Sequence, residues 1–195
     1  MRGLRRRMRL NRYKRLEYLE FIDSYRKNIP LGIKTTPNMS IKIKIYRPIR
    51  KYYASFLHTN KDYKNFLSLG FDNAGYFCYN LKGTVANKVA KSDAEPITVK
   101  FVSLSKNSAV TNKNGVYELG VNYGLNYELT IGENMVVSNN WAWLDKVKLY
   151  YLIIDDGNGQ KMDLQPVKRL RDGKNGLFDK VSGKFFDFTE MIKKQ

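Results

Sequence analysis

Ile41-Lys42-Ile43-Lys44-Ile45 alternates apolar and basic residues with a period of two. Successive side chains of a strand point to opposite faces, so the three isoleucines share a buried side while the lysines stay wet. A helix would scatter those isoleucines around its circumference. Outward from this stretch, short runs rich in Val, Ile, Tyr and Phe recur at Tyr52 to Leu57, Phe66 to Phe71, Tyr76 to Asn80, Ile97 to Leu104, Val116 to Leu119, Tyr127 to Ile131 and Val147 to Ile154. Between them stand turn formers: Asp72-Asn73-Ala74-Gly75, Asn112-Lys113-Asn114-Gly115, Asp155-Asp156-Gly157-Asn158-Gly159 and Arg171-Asp172-Gly173-Lys174-Asn175-Gly176. Asn, Asp and Gly tolerate the positive φ that tight hairpins need. A single helical turn is expected over Asn60 to Leu67, and no amphipathic helix longer than three turns. The expected class is all-β, an antiparallel sandwich or barrel.

The 195 residues, 43% apolar and 27% charged, suit one compact domain, and no internal repeat or Pro- or Ser-rich linker points to a second. Against 18 Asp+Glu stand 35 Lys+Arg, a net +17, which predicts attraction to polyanions or acidic protein surfaces. Eight of those excess charges are Arg2, Arg5, Arg6, Arg7, Arg9, Arg12, Lys14 and Arg15, with no acid among them. Charges this dense repel each other, and Leu4, Met8 and Leu10 are too few to build a core. Residues 1–15 therefore read as a basic N-terminal arm, reaching roughly 50 Å if fully extended, and residues 16–195 as the folded domain. One cysteine, Cys78, rules out an internal disulfide, and one histidine, His58, rules out a Cys/His metal set. No run approaches a membrane helix or a secretory signal, so the expectation is a soluble chain made in mature form, without membrane contact.

Two regions carry a family resemblance. Leu16-Glu17-Tyr18-Leu19-Glu20-Phe21-Ile22 with Pro30-Leu31-Gly32-Ile33-Lys34 resembles the opening strands of LamG-like, concanavalin A-type jelly rolls found in tailed-phage structural proteins and gut-bacterial surface proteins. The closing part is more specific. Lys146-Val147-Lys148-Leu149-Tyr150, Asp163-Leu164-Gln165-Pro166-Val167-Lys168, and Asn175-Gly176-Leu177-Phe178-Asp179-Lys180-Val181-Ser182-Gly183-Lys184-Phe185-Phe186 resemble that family's terminal hairpins almost position for position. The matches frame the chain from Leu16 to Phe188, while the middle agrees only in strand spacing. Physically, Val147 to Ile154 can turn alternate residues into a shared core with Lys146 and Lys148 wet, and Leu177-Phe178 can clamp Phe185-Phe186 across Ser182-Gly183. The resemblance implies a jelly-roll β-sandwich, a fold that hosts glycosidases, lectins and structural modules alike.

Candidate chemistry is sparse. Retaining glycosidases need two carboxylates roughly 5 Å apart, which alternate positions on one strand face provide. The nearest cluster, Glu17, Glu20 and Asp23, has a spacing of three, which splits it between faces; surface residues balancing Arg12, Lys14 and Arg15 are the expected reading. Cys78, among Tyr76, Phe77 and Tyr79, reads as a buried inert thiol, and His58 as a surface or strand-end histidine. Asp155, Asp156 and Asn158 offer oxygen ligands that suit calcium, but a hairpin turn uses the same residues for backbone reasons and is favoured. Trp141 and Trp143 are two apart and share a side on a strand. Outward, they form a sugar-stacking platform that Tyr52, Tyr53 or Tyr63 could extend; inward, they are core, which Leu144 and Val147 favour.

The functional expectation is a non-enzymatic accessory virion protein of a tailed bacteriophage, attached to other capsid or tail proteins through the basic arm and the sandwich surface, with no cofactor or metal. The phage setting comes from the resemblance. Two alternatives stay open: a glycan-binding module for host attachment using Trp141, Trp143, Tyr52 and Tyr53, and a nucleic-acid-binding protein contacting the genome through its arginines.

Overall fold

The computed structural model describes residues 12–22, 28–49, 54–59, 67–81, 87–92, 94–103, 111–121, 126–132, 144 and 146–193. The strands are β1 (Tyr13–Arg15), β2 (Leu19–Glu20), β3 (Asn28–Lys34), β4 (Ser40–Tyr46), β5 (Ala54–Thr59), β6 (Leu67–Phe71), β7 (Tyr76–Leu81), β8 (Asn87–Lys91), β9 (Ile97–Ser103), β10 (Thr111–Lys113), β11 (Val116–Val121), β12 (Glu128–Gly132), β13 (Lys148–Asp155), β14 (Lys161–Arg169), β15 (Asn175–Asp179) and β16 (Phe185–Asp187). No helix occurs among the described residues. The larger sheet runs β10-β11-β9-β4-β13-β14-β15-β16, with β1 on β14 and β2 on β13, and the smaller runs β3-β12-β5-β6-β7-β8. Pairing is antiparallel except between β11 and β9.

The alternation in β4 becomes the layer structure. Ile41, Ile43 and Ile45 are fully buried, as are Val99 and Phe101 on the adjoining β9 and Leu149, Leu152 and Ile154 on β13. Against them the smaller sheet sets Leu57, Leu69, Phe77 and Ile131. Aromatic pairs tie the layers: Phe101 of β9 meets Phe77 and Tyr79 of β7 at 6.2 and 6.1 Å between ring centroids, and Phe21, just after β2, meets Phe56 of β5 edge-on at 5.4 Å. The fold is a two-layer all-β sandwich around one continuous core.

The segment read as an arm ends inside this sandwich. β13 pairs with β14 only from Leu152 to Asp155; toward the other end of β13 the two strands separate, and residues 12–21 fill the gap. Tyr13, Lys14 and Arg15 stand opposite Arg169, Lys168 and Val167 of β14, and the Leu16 amide donates to the Pro166 carbonyl at 2.9 Å. Leu19 and Glu20 then pair with Leu149 and Lys148 of β13, and the Phe21 amide donates to the Val147 carbonyl at 2.8 Å. The reason is apparent in the side chains. Leu19 and Phe21 are fully buried, and the Tyr13 ring packs on Phe178 at 4.6 Å and Phe185 at 5.8 Å. Lys14 and Arg15 are exposed, so their charge does not oppose strand formation. Arg2, Arg5, Arg6, Arg7 and Arg9 lie outside the described residues.

Two further departures have local causes. In β13 the alternation slips: Leu149 and Leu152 are both core, with Tyr150 and Tyr151 both partly exposed between them. The pairing of β13 with β4 jumps from Leu149–Ile45 to Tyr151–Lys44, which marks a bulge that shifts the buried set by one residue. Of the turn expected over Asn60 to Leu67, only Leu67 is described, and it opens β6.

The turns follow the expected chemistry. Asn114 and Gly115 hold φ of 53° and 75° between β10 and β11, as a two-residue hairpin with positive φ at both centres requires. The final hairpin pairs Leu177 with Phe186 and Phe178 with Phe185. Gly176 enables it, because a Cβ there would lie 2.0 Å from the Phe186 carbonyl oxygen. Gly176→Ala is expected to cost about 3 kcal/mol through forced displacement of β16, lowering the melting temperature by about 10 °C. Thermal unfolding followed by circular dichroism checks this, and a shift under about 2 °C would contradict the packing described.

Candidate functional site

The outer face of the larger sheet follows from the same alternation. With the isoleucines of β4 turned inward, Lys42, Lys44 and Tyr46 face out, and the register carries that face across neighbouring strands. One row runs Glu118, Lys100, Lys42, Ile153 and Asp163 over β11, β9, β4, β13 and β14. A second brings Tyr46, Lys148 and Glu20 side by side over β4, β13 and β2. The β13 bulge adds Tyr150 and Tyr151 between the rows.

Ammonium groups and tyrosine rings interlock on this face. The Lys148 Nζ lies 4.5 Å from the centre of the Tyr18 ring and 5.9 Å from that of Tyr46, and it donates to the Tyr18 hydroxyl at 3.5 Å. Lys44 Nζ sits 5.3 Å from the Tyr150 ring, which packs on Tyr18 at 5.5 Å. Each such contact contributes about 0.5–1 kcal/mol at a partly exposed site. Glu20 approaches Lys148 at 3.6 Å and Lys146 at 3.9 Å. Burial works against the Lys148 ammonium, but the Tyr18 hydrogen bond and the Glu20 charge outweigh it and raise its pKa above the ordinary lysine value. For the Tyr150 hydroxyl, burial acts the other way and raises the pKa, against the pull of Lys148.

The charges do not cancel evenly. Lys100 pairs with Glu118 at 3.1 Å. Lys42 stands directly opposite Lys100 in the ladder, a like-charge juxtaposition that costs stability. Among the described residues neither Lys42 nor Lys44 has an ion-pair partner. Ile153, 37% exposed, lies beside Lys42. A second basic-aromatic group, Tyr13, Phe178, Phe185 and Arg169, continues the face, with the Arg169 guanidinium 4.2 Å from the Phe185 ring.

The described aspartates are committed to structure. Asp155 pairs with Lys161 and Asp163 with Lys180, both at 2.6 Å, and Asp172 with Arg169 and Asp187 with Lys174, both at 2.7 Å. Asp72, Asp156 and Asp179 accept backbone amides of their own turns. The Asp155–Gly159 segment is thus a hairpin turn in which Asp155 receives the Gly157 amide and Asp156 those of Asn158 and Gln160. The Lys161 hydrogen bond lowers the Asp155 pKa, as Arg169 lowers that of Asp172. An open groove of about 570 Å³ beside Asn28, Lys174, Asp187 and Thr189 is lined by that same Lys174–Asp187 pair.

Several expected residues stand elsewhere than the sequence reading put them. Glu20 is buried and pairs with Lys146 and Lys148 rather than with Arg12, Lys14 or Arg15; partners over 120 positions away leave no local signal. Glu17 is exposed, and Asp23 lies outside the described residues. His58 is fully buried one residue from the end of β5, not at the surface; its Nε2 shares a 3.1 Å hydrogen bond with the Asn28 side-chain oxygen. Trp141, Trp143, Tyr52, Tyr53 and Tyr63 all lie outside the described residues. No local pattern identified Tyr18, Tyr46 and Tyr150 as a cluster, since only the register of β2, β13 and β4 unites them. No known protein family matches this chain, and no curated protein does.

Cys78 is buried and donates its thiol to the Tyr76 carbonyl at 3.3 Å. Burial, aided by the Asp72 charge, pushes its pKa up to about 12. At pH 8 the thiolate fraction should fall about a thousandfold below that of a free cysteine. Iodoacetamide is therefore expected to modify Cys78 only as the chain unfolds, measured by mass spectrometry against denaturant; rapid labelling of native protein would contradict this environment.

Proposed function

We propose that the chain is a non-enzymatic accessory component of a tailed-phage particle, built on a LamG-like, concanavalin A-type jelly roll. It attaches to capsid or tail proteins through its basic N-terminal residues and the face of the larger sheet. The observation that carries this reading is the unevenly neutralised lysine–tyrosine face, on a body whose described aspartates serve ion pairs and turns. The closing Asn175–Phe186 hairpin and the opening strands support the jelly-roll assignment through their resemblance to phage and gut-bacterial modules. Anchoring by residues 2–9 suits a sheet whose strand β1 starts at Tyr13, because the charge is then attached at a fixed position on the body.

Deleting residues 2–9 leaves β1 intact and isolates the anchoring. Mass-spectrometric counting of the chain in purified particles is expected to show at least tenfold lower occupancy, with the isolated protein melting unchanged. Undiminished occupancy would overturn the anchoring role.

A further inference from the structure

We propose that the outer face of the larger sheet, centred on Lys42, Lys44, Ile153 and the Tyr18–Tyr150 pair, docks an acidic protein surface carrying a small apolar patch. This rests on the accessory-component reading and names the chemistry of the partner.

Three observations select that partner. Charge complementarity is the first. Lys42 and Lys100 face each other across the β4–β9 ladder, Glu118 pairs with Lys100, and Lys44 is held over a tyrosine ring instead of a carboxylate. A carboxylate brought to Lys42 and Lys44 relieves a repulsion already present in the free protein, so the surface is more complementary to an acidic partner than to water.

The second is the exposed Ile153 with Tyr150 and Tyr151 between the lysines. Protein interfaces combine such an apolar and aromatic centre with a polar rim. A sulfated polysaccharide or a phosphate backbone offers an isoleucine nothing to bury.

The third concerns the rings. Bases and sugars bind tyrosine by stacking on its faces. Here ammonium groups of Lys148 and Lys44 lie over the Tyr18 and Tyr150 rings, which also pack against each other. What the cluster offers outward is hydroxyl groups and ammonium hydrogens, which suit carboxylates. The cations at the centre are lysines, not the guanidinium forks that grip phosphate bidentately.

The test measures binding of the full chain to three probes at 150 mM salt: poly-L-glutamate, oligo-dT and heparin. Comparison is with Lys42→Glu/Lys44→Glu, with the milder Lys42→Gln/Lys44→Gln, and with Arg171→Glu/Lys184→Glu, which changes charge equally at two exposed positions outside the centre. Poly-L-glutamate is expected to bind the parent and the Arg171/Lys184 variant alike. Affinity should fall at least tenfold in Lys42→Glu/Lys44→Glu and at least threefold in the glutamine pair, with unchanged melting. Equal losses in the face and Arg171/Lys184 variants would overturn the proposal, as would a failure of poly-L-glutamate to bind the parent. Tighter binding of oligo-dT or heparin, lost with the same lysines, would reassign the face to nucleic acid or anionic glycan. Particle occupancy that survives in Lys42→Glu/Lys44→Glu but falls on deletion of residues 2–9 would remove this face while leaving the accessory-component reading intact.

Discussion

A split in the larger sheet governs this molecule. β13 and β14 pair over four residues and then diverge, which would leave the amides and carbonyls of two strands unpaired at the edge of the core. Residues 12–21 close that split, bonding first to β14 and then to β13. Pro166 lies where the strands part, and its carbonyl receives the Leu16 amide. A strand residue directs its N and its carbonyl to the same side, so the proline's missing N–H also faces the split and costs the β14–β15 ladder nothing. Below this seam Leu19 and Phe21 enter the core, each contributing about 2 kcal/mol by burial. Above it Tyr13 and Tyr18 complete the two aromatic groups of the outer face. Core and face therefore depend on one segment.

That dependence also shapes the outer face. Without β2, Glu20 would not sit beside Lys148, nor Tyr18 beneath its ammonium, and that lysine would be a loose surface cation. With it, Lys148 is held by cation–π contacts and one buried carboxylate. Strand β1 itself lies next to Lys168 and Arg169 of β14, on the same sheet.

Much of this was legible in the residues. The β4 alternation predicted both its buried isoleucines and its outward lysines, and Asn114-Gly115 and Ser182-Gly183 mark hairpins that form. What escaped reading is non-local. Residues 1–15 look like an arm when only their charge is weighed, yet Tyr13 finds Phe178 and Phe185 more than 160 positions away. The tyrosine–lysine cluster is assembled by register across three strands, and a single bulge at Tyr150–Tyr151 decides which residues it contains. Alternation counted from Val147 cannot foresee the slip, since Tyr151 and Leu152 are both acceptable strand residues on either face. His58 shows the converse, a polar side chain taken fully into the core near the end of β5, where its Nε2 shares a hydrogen bond with the Asn28 side chain of β3.

The central claim is that residues 12–21 are an integral part of the sheet and not the root of a free arm. Native-state hydrogen exchange at the Leu16 and Phe21 amides addresses it directly. Both are predicted to exchange only through global unfolding, with protection equal to that of Leu152 and Ile154 in β13. Exchange of these two amides within seconds at neutral pH, while β13 stays protected, would contradict it.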